Sequence, residues 1–468
     1  MKFFTGLTIV ILFLLTACKK DSFITSPDAA VTITADTIKY DTVFVSAGSI
    51  TQSFKIINEN SQKLKLSSIK LMGGAGSLYT INADGISGPV VNDLEIAAND
   101  SLYVFVQVNI DPNAENLPFV IRDSIQVSYN GKDKKIQLEA WGQNAHFLRN
   151  KEITADETWD NDLPYVILGY LHINNGKTLT INKGSRIYIH ADAPVVVDGT
   201  LKVKGEKDTA DRVYFRGDRL DDPYKDYPAG WPGIYFRTSS IDNELNFAII
   251  KNAYQAIAVQ DPSANSAPKI VLNETIVDNA YDAGIISLNS SVKAINCLVS
   301  NCGKNLVLAQ GGNYEFTHCT VASYSNNYIL HKEPVLYLSN YLVVNKVAVA
   351  KDLTAVFQNN IFWGENGSVD DEVVVTKDVS ANSDITFDSN LWKVKTDPAT
   401  TGAVVTNAIN NQFPGFDSID VSKRYYDFHL RTKISPALNI GTTTSVFIDL
   451  DGNPRPVGQP DLGCYEKQ

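Results

Sequence analysis

The feature that most constrains this chain is a column of residues recurring at a nearly fixed step. Leu245-Asn246-Phe247-Ala248-Ile249-Ile250-Lys251-Asn252 aligns with Leu272 to Asn279, Ala294 to Asn301, Phe316 to Ser323, Leu338 to Asn345, Phe357 to Gly364 and Phe387 to Val394. The fourth residues fall at 248, 275, 297, 319, 341, 360 and 390, in steps of 27, 22, 22, 22, 19 and 30. The first column reads Leu, Leu, Ala, Phe, Leu, Phe, Phe, and the sixth reads Ile, Val, Val, Val, Val, Phe, Trp. Like residues at a constant step are what stacked parallel strands require, one coil per repeat, with like side chains in register at the ~4.8 Å strand spacing. The eighth column holds Asn252, Asn279, Asn301 and Asn345, a residue that tolerates a left-handed turn. A second strand follows in phase at Ile257 to Val259, Gly284 to Ile286, Leu306 to Leu308 and Tyr328 to Leu330.

The same logic extends upstream through Leu179 to Ile181, Ile187 to Ile189, Val195 to Val197, Leu201 to Val203 and Val213 to Phe215. The chain is therefore expected to be all-β, with a right-handed parallel β-helix of the pectin lyase type over 146–435 and about eleven coils at 22 to 28 residues each. Before it, residues 31–145 read as short alternating strands broken by turns, the pattern of a β-sandwich. Strands are expected at Ile38 to Val45, Ser53 to Asn58, Leu64 to Leu71, Ser101 to Asn109, Asp123 to Tyr129 and Lys135 to Ala140, with Asn130-Gly131 as a two-residue hairpin turn. Phe54-Lys55-Ile56-Ile57-Asn58, the Val106 to Pro112 segment and a closing strand ending at Gly142 resemble immunoglobulin-like domains of the Hydin type, which implies spacer or protein-contact duty.

The amino terminus reads as an export signal over 1–17. Lys2 supplies positive charge, Phe3 to Leu15 a short apolar run, and Leu15-Thr16-Ala17-Cys18 resembles a bacterial lipobox. That resemblance implies cleavage before Cys18 and lipid attachment to it, so the chain would be anchored to a membrane through lipid, with 18–30 as a linker. The run is too short to span a bilayer, and several acyl chains on one residue hold more firmly than one. Lys19-Lys20-Asp21 lacks an Asp directly after the cysteine, which points to the outer membrane of a Gram-negative cell. Net charge is −11, so nucleic acid is not an expected partner. Cys297, Cys302, Cys319 and Cys464 form no metal-ligand spacing, and Cys297 and Cys319 are expected as stacked, buried thiols.

Near the carboxyl terminus, Tyr426-Asp427-Phe428-His429-Leu430, Ser435-Pro436-Ala437-Leu438-Asn439-Ile440-Gly441, Asp449-Leu450-Asp451-Gly452-Asn453-Pro454-Arg455-Pro456 and Asp461-Leu462-Gly463-Cys464-Tyr465-Glu466 resemble the tail of the choice-of-anchor Q β-helix proteins. The likeness departs at Asn439-Ile440 and at Cys464. It implies that 436–468 closes the open end of the solenoid, and that the protein is exported and surface-bound.

No catalytic constellation stands out. Asp449-x-Asp451-Gly-Asn453 offers oxygens of the kind calcium takes, but its glycine and twelfth position miss the EF-hand template, so a structural turn is expected, and no cofactor. The acid clusters Asp221-Asp222 with Asp226, and Asp370-Asp371-Glu372, fall in polar insertions that read as solvated loops. The sequence blocks that mark polygalacturonases are absent. Ligand contact is sought instead in exposed aromatics. Tyr224, Tyr227 and Trp231 crowd one insertion, and Trp363 lies in a mostly polar column with Lys251, Asp278 and Ser300, which predicts that it faces out. Trp231-Pro232-Gly233-Ile234 also resembles an early-coil segment whose tryptophan packs structurally. The expected role is a cell-envelope lipoprotein presenting a rigid β-helix to glycan or protein. The alternative is a lyase or hydrolase acting on an extracellular polysaccharide, which a groove bringing carboxylates together beside Lys or Arg would favour.

Overall fold

The computed structural model describes residues 22–44, 51–109, 119–220, 224–431 and 433–468, and they are all-β, with no α-helix among them. The export segment with Cys18 and the Asp221-Asp222 pair lie outside the described residues. The chain forms two compact units, Met1–Asn144 and Ala145–Gln468.

The first unit holds two mostly antiparallel sheets around one core. Phe54, Ile56, Ile81, Val104 and Val106 from one sheet meet Leu64, Leu66, Ile69, Ile125, Val127, Ile136 and Leu138 from the other. Alternation places these residues inward, as in Gln52–Asn58, whose odd and even positions differ in burial. The Tyr40 hydroxyl donates to the carbonyl of Val106 at 2.6 Å and ties the two sheets. The Asn130-Gly131 turn takes φ of 46° and 75° and joins Phe119–Tyr129 to Lys132–Gln143. Five further strands, Phe23–Ile24, Val31–Ile33, Tyr79–Ala83, Ile86–Ser87 and Val90–Ile96, carry no expectation from the sequence.

The second unit is built on one continuous sheet of 26 strands with parallel pairing throughout that sheet, an arrangement consistent with a solenoid. Its strands fall on three stacked ladders. On the first, Ile250, Val277, Val299, Val321, Phe362 and Trp392 pair in sequence and point into the core. On the second, Ile257, Ile285, Leu306, Leu336 and Val373 are in register. On the third, Leu245, Leu272, Ala294, Phe316, Phe357 and Phe387 stack, with ring centroids 5.5 and 4.8 Å apart among the phenylalanines. The first ladder has eleven rungs, from His146–Ile153 to Ile409–Asn410. Between third and first ladders the chain turns on a single left-handed residue, and Phe247, Glu274, Asn296, His318, Asn359 and Ser389 take φ between 45° and 58°. Asn252, Asn279 and Asn301 do the same at the next corner, as the eighth column implies.

One row of the sequence alignment is out of register. Thr320 pairs with Ile361, and Leu338 pairs with Leu308 on the second ladder, so the Leu338 to Asn345 row is not a coil of its own. Tyr341–Val344 and Val347–Ala350 form an antiparallel hairpin whose Val343, Val344 and Val347 are solvent-exposed, and Asn345 turns that hairpin. Likewise Leu336–Ser339, not Tyr328 to Leu330, continues the second ladder. A 22-residue coincidence of apolar residues mimics a repeat inside a long excursion.

The carboxyl-terminal stretch lies along the flank of the coils and does not close an end, which corrects the expectation for 436–468. Phe416, Phe428, Leu430, Ala437, Leu450, Leu462 and Cys464 cover Leu298, Ala322, Ile361, Trp363 and Leu391, the outward side of the first ladder. The contacts step from coil to coil. Arg212 donates to the carbonyl of Leu450 at 2.6 Å, Asn296 to that of Ile448 at 2.7 Å, and Asn359 to that of Thr442 at 2.7 Å. A buried polar knot sets the path. Arg455 Nε meets Glu466 Oε2 at 2.9 Å, Arg455 also donates to Asn296 Oδ1 and to the carbonyl of Gly463, and Glu466 accepts from the amides of Val457 and Asp461. Engaging all three guanidinium nitrogens and both carboxylate oxygens in this way is what makes a buried ion pair tolerable.

Candidate functional site

The insertion after Val213–Gly217 returns to the second ladder through Trp231, and three of the aromatics named from sequence part company there. Trp231 is fully buried in the core, bridges to Ala253 and donates its indole N–H to the carbonyl of Lys251 at 2.8 Å. It is an anchor, and its place among ligand-binding candidates is corrected: an indole with no exposed face has nothing to offer a ligand. Tyr224, 45% exposed, and Tyr227 remain at the surface. The insertion is held from below, because Asn252 and Asn279 donate to the carbonyls of Lys225 and Asp226 at 2.8 and 3.1 Å. Asn279 also donates to Asn252 Oδ1 at 2.8 Å, so the asparagine corner is a hydrogen-bonded stack.

Trp363 is also corrected. Its column does face out of the coil, but the ring is buried beneath the carboxyl-terminal stretch, edge-on to Phe413 at 6.0 Å with its N–H on Glu365. The covering segment comes from fifty residues further along, which column position alone cannot reveal.

Three side chains that sequence reasoning missed, Tyr328, Arg219 and Arg424, complete the site. Tyr328 lies 4.9 Å from Tyr227 between ring centroids, and Tyr227 lies 5.3 Å from Tyr224, which makes a row of three tyrosines. The guanidinium of Arg219 sits 3.7 Å from the centre of the Tyr224 ring, and that of Arg424 5.0 Å from the centre of Tyr328. Such cation and ring contacts hold aromatic faces in place. Beside the row is a cleft of about 260 Å³ lined by Arg216, Lys225, Lys251, Lys423, Arg424, Asp226, Asp278, the asparagine stack and Tyr426. Arg424 pairs with Asp226 at 3.0 Å and Lys251 with Asp278 at 3.3 Å. Ser300 Oγ adds a bond to Asp278 at 2.8 Å. Around the same corner, Tyr254 and Tyr281 are exposed and stacked 5.9 Å apart on adjacent coils. Their 27-residue spacing equals that of Asn252 and Asn279, a signal the columns contained.

The other acidic cluster does not converge. Asp370 pairs with Lys395 in solvent, Asp371 caps the amides of Lys395 and Thr396, and Glu372 is buried against His331 at 2.9 Å. Asp449 accepts from the amides of Asp451, Asn453 and Glu466, so the loop considered for calcium is a hydrogen-bonded turn. Among the described residues no three His, Cys, Asp or Glu side chains gather as a metal site. Cys297, Cys302, Cys319 and Cys464 are free, buried thiols, and burial raises the pKa of Cys464 to about 12. In the first unit a cavity of about 690 Å³ is lined by Tyr79, Phe105, Asn82 and neighbours with no charged side chain, and offers less chemistry.

No family model and no curated protein matches the chain. Among solved structures, a family 123 glycoside hydrolase from Clostridium perfringens is similar at 12% identity with a TM-score of 0.19, over 26% of this chain and 30% of that one. The PapD-like domain 7 of human CEP192 is similar at 11% identity and 0.17, over 26% and 89%, and the E. coli chaperone DraB at 8% and 0.17, over 25% and 55%. Likenesses this slight carry no argument about fold or function.

Proposed function

We propose that this chain is a cell-envelope lipoprotein of a Gram-negative bacterium, anchored through Cys18, in which an immunoglobulin-like sandwich precedes a right-handed parallel β-helix that binds polysaccharide on its flank. The observation that carries the glycan reading is the row of Tyr224, Tyr227 and Tyr328 beside a polar cleft. Aromatic faces stack on the apolar faces of sugar rings, and rings held by neighbouring cations lose little freedom on binding. The row reaches no further than about two strand spacings, room for a short stretch of a glycan chain. A glycan array probed with the purified full chain tests this. Binding to a polysaccharide that Tyr227→Ala weakens about tenfold supports it, and no binding to any glycan moves the reading to a protein partner.

A second reading, cleavage of the bound polysaccharide, is favoured by one observation: Asp226 and Asp278 share a cleft with Lys251 and Arg424. Carboxylates beside bases are the raw material of glycosidases and lyases. Binding ranks first because both carboxylates are already committed to cations. Reducing-end and unsaturated-product assays on any bound polysaccharide separate the two.

A further inference from the structure

We infer that the first unit carries a binding site of its own, for a neutral saccharide, in the cavity bordered by Phe105. The inference concerns other residues than the flank cleft and does not rest on it. On Asp100–Val108, Tyr103 and Phe105 flank the buried Val104 and so share the outer face of their sheet. They are 44% and 43% exposed, and their rings lie nearly parallel, 11° apart with centroids at 5.8 Å. Lys55 Nζ sits 4.7 Å from the centre of the Tyr103 ring and steadies the pair. Rings held in this way offer flat apolar area that loses little freedom when a ligand covers it.

Beside Phe105 the cavity, about 690 Å³ and within the range of small-molecule sites, is lined by the hydroxyls of Thr51, Thr80 and Ser87 and the side-chain amides of Asn82 and Gln107. The lining is fixed before any ligand arrives. Gln107 donates to Thr51 Oγ1 at 2.5 Å, and Asn82 donates to Ser87 Oγ at 2.8 Å and accepts from the amide of Gly85 at 3.0 Å. The Gly74–Gly76 turn, which lines it too, is pinned by Asp123, which accepts from the amide of Gly73 at 2.9 Å and from Ser77 Oγ. A side-chain amide has two N–H groups and two acceptor lone pairs, so one bond within the lining leaves capacity for a ligand hydroxyl. Among the described residues lining the cavity none is charged. An anion or cation would lose its hydration there with no opposite charge to meet it, and a purely apolar ligand would strip water from the amides and hydroxyls. A neutral sugar ring, with C–H faces for Phe105 and hydroxyls for the amides, matches both halves of the lining.

The test is calorimetry of the full chain with maltohexaose, cellohexaose, mannohexaose and chitohexaose, and with an oligogalacturonate as the charged probe. Expected is binding of at least one neutral oligosaccharide, insensitive to added salt, that Phe105→Ala and Gln107→Ala each weaken about tenfold. Both residues are exposed, so neither variant removes core packing. Trp141→Ala is the unaffected control, since Trp141 is 44% exposed in the same unit and does not line the cavity. Neutral oligosaccharides bound equally well by Phe105→Ala would overturn the inference, and if Tyr227→Ala then removed the binding the flank reading would stand alone. Oligogalacturonate bound as tightly as the neutral probes, and lost in Phe105→Ala, would overturn the neutral class. No binding of any neutral probe would overturn the site, whatever polysaccharide the flank takes.

Discussion

Trp231 and Tyr227 sit four residues apart and do opposite work. Removing a fully buried indole leaves a cavity the coils cannot fill, so Trp231→Ala is expected to cost ~3–5 kcal/mol in urea denaturation. Tyr224→Ala, at an exposed ring, is expected to change stability by less than about 0.5 kcal/mol while weakening glycan binding. If the two variants were equally stable, the assignment of anchor and contact would be wrong. Gly364 offers a second residue-scale check. A Cβ there would run into Glu372 Oε1 and His331 Nε2, so Gly364→Ala must displace that buried pair and lower the urea midpoint, whereas an unchanged midpoint would show the pair to be loosely held. The four buried thiols are expected to resist Ellman's reagent until the chain is unfolded, because burial hides all four and keeps Cys297, Cys302 and Cys464 protonated.

At the scale of elements, the carboxyl-terminal stretch is the part whose role differs most from expectation. Its sequence motif was legible, but its destination was not: Asp449, Arg455, Asp461 and Glu466 serve one another and the backbone, and only the outward residues of the first ladder show where the stretch lies. Those residues, Leu298, Ile361 and Leu391, are as apolar as the core positions beside them, and burial by the coil and burial by a covering segment look alike in one dimension. Breaking the knot with Glu466→Gln leaves the Arg455 charge buried without its partner, and a loss of roughly 3–5 kcal/mol is expected. The same stretch carries a pH dependence. Burial alone would lower the pKa of His429, but Asp451 and Asp427 outweigh it and hold the ring at about 9, above the usual 6.5. A raised folded pKa means stability present in full below about pH 6.5 and lost as pH climbs through about 9. The urea midpoint should therefore fall between pH 6.5 and 9.5 by more in the native chain than in His429→Asn. Equal slopes would show that the contact contributes nothing.

For the molecule as a whole, the stacked parallel sheet was readable because identical burial at every coil imposes identical chemistry, as in Ile250, Val277, Val299 and Val321. The third ladder was visible as a column but not recognised as a separate face, since a one-residue corner leaves only a single left-handed residue as its mark. The 341–350 hairpin defeated the alignment because a solenoid tolerates excursions of any length from a corner, and apolar spacing inside one can imitate a coil. The candidate site was half legible. Tyr224 and Tyr227 lie in one crowded insertion, but Tyr328 and Arg424 reach it only through stacking and through the returning carboxyl-terminal hairpin. This corner, assembled from the insertion, the asparagine stack and the hairpin, is where we propose that the chain binds its ligand. Hydrogen exchange of the full chain, with and without a bound polysaccharide, tests it most directly. Protection concentrated in 224–231, 323–330 and 420–426 is the expected result, and protection confined to the first unit, or spread evenly along the coils, would contradict it.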